Sequence, residues 1–197
     1  MKKRAAGFIL IFLFVNPLFL RADAPLETVK RQVNKVLDVL RDPALKGKAG
    51  EEKKKAKIRS ISEEMFDFLE LSRRTLGPNW RKFNEVQQKE FIDLYKSILE
   101  DAYIDKIVAY RDEKVVFNDE KKLTGKTFEV RTTIVTKRAD IPINYRVILE
   151  DGEWKVYDVV IEGVSLINNY RSQFREILLN NTPDALLDKL RKKVGKA

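Results

Sequence analysis

The 197-residue chain contains no cysteine and no histidine. Without thiols there is no disulfide, no thiolate nucleophile and no sulfur metal site, so an apolar core must hold the fold together. Without imidazole there is no Ser-His-Asp triad, no histidine-ligated metal and no unperturbed side chain that titrates near neutrality. Glycine is scarce too: eight residues are scattered along the chain and form no phosphate-cradling loop, which argues against nucleotide hydrolysis. The one long apolar run, Phe8 to Leu20, is interrupted at Asn16-Pro17 and falls short of the roughly 20 residues a membrane helix needs. Basic "MKKR" before it and Ala22-Asp23-Ala24 after it make residues 1–24 an expected cleavable export leader. A single domain over 25–197 remains, and no cysteine follows the apolar run to carry a lipid anchor.

Charge is plentiful and mixed, with 39 basic against 30 acidic residues and a formal net charge of +9. Interspersed signs read as a solvated surface. In an exported protein, net basic character suits anionic lipid head groups or an acidic partner better than nucleic acid.

Leu26, Val29, Val33, Val36, Leu37 and Leu40 recur at helical spacing until Asp42-Pro43. "LKGKAGEEKKK" reads as a charged loop leading into a second helix, whose apolar face is Ile58, Ile61, Met65, Phe68 and Leu69 and whose stop is Leu76-Gly77-Pro78-Asn79. Asn84 with Gln87 forms a capping box for a third helix with a broad apolar stripe running to Ile107. After Tyr110 the period becomes two. "EKVVFND", "KTFEVRTTIVTKR" and "DIPINYRVILEDGEW" read as successive strands, with a hairpin at Asp151-Gly152. The fourth strand slips parity between Val156 and Val159, the mark of a bulge or a doubly covered end. Ser165 then caps a helix from Leu166, and Thr182-Pro183 opens the last one. The expected fold class is α+β: a curved antiparallel sheet of about four strands covered by N-terminal and C-terminal helices. Periodicity alone leaves open whether the layers enclose a packed core or an apolar cavity.

Two stretches carry a family resemblance. "LGPNWRKFNEVQQKEFIDLYKSILEDAYIDKIVAY" resembles the L-G-x-x-W…F…F…L…Y…Y segment of the MlaC-type periplasmic phospholipid-binding proteins, soluble auxiliary components of the toluene-tolerance ABC transport system. "EWKVYDVVIEGVSLINNYRSQFREIL" resembles their W-x-x-Y-D-x-x-x-E-G-V-S-[LM] signature, and "IPINYRV" is similar to the strand before it. The resemblance implies an NTF2/cystatin-like half-barrel enclosing an apolar cavity. It also implies a non-enzymatic, monomeric periplasmic shuttle without cofactor or metal, which moves phospholipid between an inner-membrane ABC transporter complex and an outer-membrane lipoprotein–porin complex. The charged run "GEEKKKAK" departs from the family pattern, and a partner contact could differ there.

A diacyl lipid holds about 28 methylenes worth about 0.8 kcal/mol each, so exposing both tails costs on the order of 20 kcal/mol. A carrier needs an adaptable apolar enclosure, of about 1,000 Å³. The expected lining is Trp80, Phe83, Phe91, Tyr95, Ile98 and Tyr103 from the helical side, and Val130, Ile134, Tyr145, Val147, Trp154, Val156 and Val159 from the strands. For each residue alone, ordinary core packing is the plainer reading. Asp158, Glu162, Gly163 and Ser165 read as the structural corner turning the last strand into a helix. Two other functions compete: an NTF2-like lyase or isomerase using Asp158 with Tyr157 or Tyr145, and a cell-envelope adaptor with a filled core. Arg73, Arg81, Lys82 and Lys155 fit a phosphate-attracting rim or plain surface solvation equally well.

Overall fold

An amphipathic meander and several broadly apolar helices can bury their faces together only by stacking helices on the sheet. The computed structural model, which describes residues 24–110 and 113–195, has that arrangement. Of the expected leader, residues 1–23 lie outside the described residues and Ala24 is the N-cap of the first helix. The helices are α1 (Pro25–Arg41), α2 (Lys48–Met65), α3 (Phe68–Leu76), α4 (Glu85–Val108), α5 (Leu166–Asn180) and α6 (Pro183–Lys193). The strands are β1 (Lys114–Lys122), β2 (Thr127–Val135), β3 (Asp140–Glu150), β4 (Glu153–Ile161) and a two-residue β5 (Val164–Ser165). They form one antiparallel sheet in the order β1-β2-β3-β4-β5, one strand more than expected. No helix among the described residues is long and apolar enough to cross a membrane.

From Lys48 on, the charged run expected to be a loop is instead the first two turns of α2. Gly50 lets this happen, because a Cβ there would lie 2.3 Å from the Leu45 backbone in the preceding 3-10 turn. The charges also support the helix: Lys55 pairs with Glu51 and Glu52 behind it and with Asp105 of α4 at 2.9 Å. The second expected helix is broken in two. Phe66 is extended and bridges Val156, the Asp67 amide donates to the Val156 carbonyl at 2.9 Å, and the Asp67 carboxylate caps α3. The break turns Leu69, expected on the buried face, out to 54% exposure.

Caps and turns otherwise follow the local chemistry. Asn84 and Gln87 form a reciprocal capping box, Ser165 accepts from the Asn168 amide, and Thr182 accepts from the Ala185 amide with Pro183 at N1. Asp151-Gly152 and Glu162-Gly163 both have positive φ at two successive residues, as tight hairpin turns of the I′ type require.

In the sheet, Val147 pairs with Val156 but Arg146 pairs with Asp158, so Tyr157 is the extra residue of a bulge. The bulge keeps Val156 and Val159 on one face and sends Tyr157 and Asp158 to the other. The second face carries a cross-strand ion ladder from Asp119 through Arg131, Glu129 and Arg146 to Asp158. These alternating charges favour one register.

Gly163 has φ +83° and open space where a Cβ would stand, so the cost of a side chain there is backbone strain alone. Gly163→Val should therefore lower stability by about 1–2 kcal/mol and the melting temperature by about 2–8 °C, without changing ligand preference. Equal melting temperatures for variant and parent would refute this account of the turn. At the β3–β4 hairpin, a hydrogen bond with the Asp67 carboxyl and then burial and the nearby Asp67 and Glu70 charges raise the pKa of Glu150. A carboxyl raised in the folded state holds its proton longer there than in the unfolded chain, so stability falls as pH rises through that window. Glu150→Gln should raise the urea midpoint at pH 7 and leave it unchanged below about pH 4; an equal gain at both pH values would contradict this origin.

Candidate functional site

Strand alternation and register place Val115, Phe117, Phe128, Val130, Thr132, Ile134, Ile143, Tyr145, Val147, Trp154, Val156, Val159 and Ile161 on the inner face of the sheet. Its middle is sealed: Val130 is 0%, Val147 1% and Val156 2% exposed. The far end is not. Val115, Phe117, Ile134, Ile141, Ile143 and Ile161 are all half-buried, and register puts them at the end of the sheet opposite the β3–β4 hairpin. The inner face is therefore a continuous apolar wall that runs from closed core to a partly open margin.

The expected lining divides along the two layers. From the sheet, Val130, Val147, Val156 and Val159 belong to the central core, with Tyr145 and Trp154 packed against it half-buried. Ile134 lies outside that core, at the open margin. From the helices, Phe83, Phe91, Tyr95 and Ile98 are in the same core, with Trp80 and Tyr103 half-buried against it. The aromatic members form an edge-to-face stack with two residues of α5: Phe83–Phe91 at 5.8 Å, Phe91–Phe174 at 5.5 Å and Tyr95–Tyr170 at 5.1 Å. Tyr95 bonds to Thr75 Oγ1 at 3.4 Å, and burial raises its pKa. Sequence reasoning missed Tyr170 and Phe174, although their i, i+4 spacing in α5 was visible. It also missed Ile143 and Ile161, whose position at one margin only strand register reveals.

Two open surface depressions lie elsewhere, on the outer side of α1 and its C-terminal turn. Charged residues such as Glu27, Lys30, Asp38 and Lys57 line them, and none of the expected lining residues does.

Two hydroxyls stand on the inner face. Burial pushes the pKa of half-buried Tyr145 up to about 12, and the buried Thr132 hydroxyl donates to the Ile143 carbonyl at 2.6 Å.

The corner behaves as a structural device. The Asp158 carboxylate is 1% exposed and accepts from the Ser165 hydroxyl at 2.7 Å, the Ile167 amide at 3.1 Å and the Arg146 guanidinium at 3.1 Å. Both oxygens are engaged by neighbours within the fold. Tyr157 lies under the Arg74 guanidinium, 4.2 Å from its ring centroid, and is equally occupied. Glu162 and Gly163 are exposed in the turn. Of the basic residues, Arg73 pairs with buried Glu70, and Lys155 bonds Glu153 at 2.8 Å and the Glu64 carbonyl at 3.0 Å. Arg81 and Lys82 are exposed. The described residues include no cluster of carboxylates able to hold a metal ion.

A model of the MlaC protein family matches residues 30–192. The chain is 27% identical over 122 residues to the intermembrane phospholipid transport system binding protein MlaC of Haemophilus influenzae, which covers 59% of this chain and 57% of that relative. It is 26% identical over 110 residues to the toluene tolerance protein ttg2D of Pseudomonas putida, covering 55% and 50%. The chain thus spans about half the length of these curated relatives. A phospholipid-binding protein from Ralstonia solanacearum, solved in complex with a phospholipid, has the same fold: TM-score 0.76 at 24% identity, over 87% of this chain and 97% of that one.

Removing the Asp158 carboxylate strips three donors of their acceptor at a buried point. Asp158→Ala should cost about 2–4 kcal/mol, read as a lower urea midpoint. Asp158→Asn, which keeps the shape, should carry as much bound lipid as the parent under folding conditions. Loss of lipid in a fully folded Asn variant would show that the carboxylate does more than tie the corner.

Proposed function

The chain belongs to the MlaC protein family, and from that premise we propose that it is a periplasmic carrier that holds diacyl phospholipid against the inner face of its sheet. The observation that supports the reading best is that inner face: apolar along its length, sealed at Val130, Val147 and Val156 and half-open at Ile134, Ile143 and Ile161. A surface of this kind offers hydrocarbon tails an environment like a bilayer interior, with few hydrogen bonds to hold one pose. The tails enter at the half-buried margin and part the helical layer from the sheet as they fill. The head group, zwitterionic or anionic, stays at the margin in contact with water.

The carrier exchanges lipid with an inner-membrane ABC transporter complex and an outer-membrane lipoprotein–porin complex, after export directed by residues 1–24. It performs no chemistry of its own. The full engagement of Asp158 argues against the lyase or isomerase alternative.

Native mass spectrometry of the protein purified from a periplasmic expression host tests this directly, with a phospholipid-sized adduct as the expected result. Ile161→Lys places a charge at the open margin of the wall, where the tails enter, and should lower the bound fraction, because an ammonium pressed against hydrocarbon gives up part of its hydration. Protein that arrives without lipid, and acquires none from vesicles, would overturn the carrier reading.

A further inference from the structure

The apolar stripe of α4 does not stay covered to its end. Phe91, Tyr95 and Ile98 are at most 3% exposed. Ala102, one turn after Ile98 on the same face, is exposed, Tyr103 is half-buried and Ile107 is 36% exposed. The other side of these turns stays closed: Ile104 is buried, and Asp101 and Asp105 pair with Arg59 and Lys55 of α2. The opening is therefore one-sided. From here the chain reaches β1 within a few residues, which puts the last turns of α4 at the end of the sheet where Val115, Ile134, Ile143 and Ile161 are half-buried. The other edge of the sheet adds Val164 of β5, paired with Ile161 and 58% exposed.

Cations surround this mouth. Lys106 lies over the Tyr103 ring, 5.2 Å from its centroid, and Arg41 at the end of α1 donates to the Tyr110 hydroxyl at 3.3 Å. Lys114 opens β1, and exposed Lys137 and Arg138 lie in the β2–β3 turn, which the Thr136 hydroxyl ties together by bonding the Ala139 carbonyl and the Arg138 and Ala139 amides. Among the described residues none of these cations has a carboxylate partner, and the acids beside them are fewer: Glu113, Asp140 and Glu162. A helix C-terminus favours Arg41 and Lys106 by itself, but it does not account for Lys137 and Arg138 in a turn. Isolated aliphatic side chains at the lips of an apolar opening, inside a ring of cations, match a bilayer surface with anionic head groups. A protein partner would call for a contiguous apolar patch with a packed centre, and Ile107 and Val164 stand on separate elements.

We propose that this end of the molecule docks directly on an anionic bilayer surface, with Ile107 and Val164 in the head-group layer, the cations on lipid phosphates and the half-open margin facing the membrane. The inference rests on the carrier reading above and adds to it where the molecule meets its lipid. Arg81 and Lys82 take no part, because they precede the N-terminus of α4, on the order of 30 Å from Lys106 along the helix.

The test mixes the protein, purified from a periplasmic expression host, with sedimentable vesicles of phosphatidylcholine alone or with an equal share of phosphatidylglycerol. The protein should pellet with the mixed vesicles and stay in solution with phosphatidylcholine. Lys106→Glu, Lys137→Glu and Arg138→Glu combined should weaken binding about tenfold or more. Arg81→Glu, Lys82→Glu and Lys89→Glu combined change the net charge equally and should weaken it far less. The chain has no cysteine, so a polarity-sensitive dye on Val164→Cys is unique; its emission should shift to the blue on the vesicles, and that of the same dye on Leu179→Cys, at the C-terminal end of α5, should not. Protein that carries lipid yet ignores the mixed vesicles, equal losses in the two triple variants, or a Val164 dye that stays in water would overturn the docking and leave the carrier reading intact. An end that serves an acidic protein partner instead gives the first of these outcomes. Protein that holds no lipid and takes none from the vesicles would overturn the carrier reading, and this inference with it.

Discussion

One buried carboxylate holds the layers in place. Taking a charge such as that of Asp158 out of water costs several kcal/mol unless partners compensate it, and here they come from three directions: β3 through Arg146, the β5 cap through Ser165, and the first turn of α5 through the Ile167 amide. The helix N-terminus adds its own favourable field for the negative charge. That demand for partners determines where α5 starts and at what angle it leaves the sheet. The α5 aromatics Tyr170 and Phe174 then meet Tyr95 and Phe91 of α4, so a single ionic knot positions an apolar stack about one to two turns along the helix.

The bulge at Tyr157 makes this arrangement compatible with an apolar wall. Without an extra residue, strict alternation would put Asp158 and Val156 on the same face, and the inner wall would carry a charge at its centre. With it, Val156 and Val159 both face inward and the polar pair faces the other way. The same irregularity thus serves stability on one side of the sheet and keeps the other side fit for hydrocarbon.

Much of this was legible in residue order. Asn84 with Gln87, Ser165, Thr182-Pro183 and Asp151-Gly152 act within a few residues of themselves, so their chemistry needs no tertiary context. The parity slip before Val159 announced the bulge for the same reason. Errors came where distant chain decided. "LKGKAGEEKKK" looks like a loop until Leu45 packs on Gly50 and Asp105 reaches Lys55. The α2–α3 break exists because Phe66 and Asp67 bond to the free edge of β4, nearly ninety residues later in the chain. The expected lining is distributed in the same way: its members could be named from alternation and stripes, but which are sealed and which stand at the margin depends on how far the helices extend over the sheet.

Sequence by itself determined the α+β class, the caps, the hairpins, the inward set of strand residues and the family, because each is written in spacings shorter than one element or in a motif read in order. Tertiary structure decided that Asp158 is tied to Arg146, Ser165 and the Ile167 amide, and that Phe83, Phe91 and Tyr95 are stacked with one another and with α5. Those outcomes depend on which groups meet across the fold. Burial and partnership are properties of pairs of surfaces, and a single strand of letters does not contain the second surface.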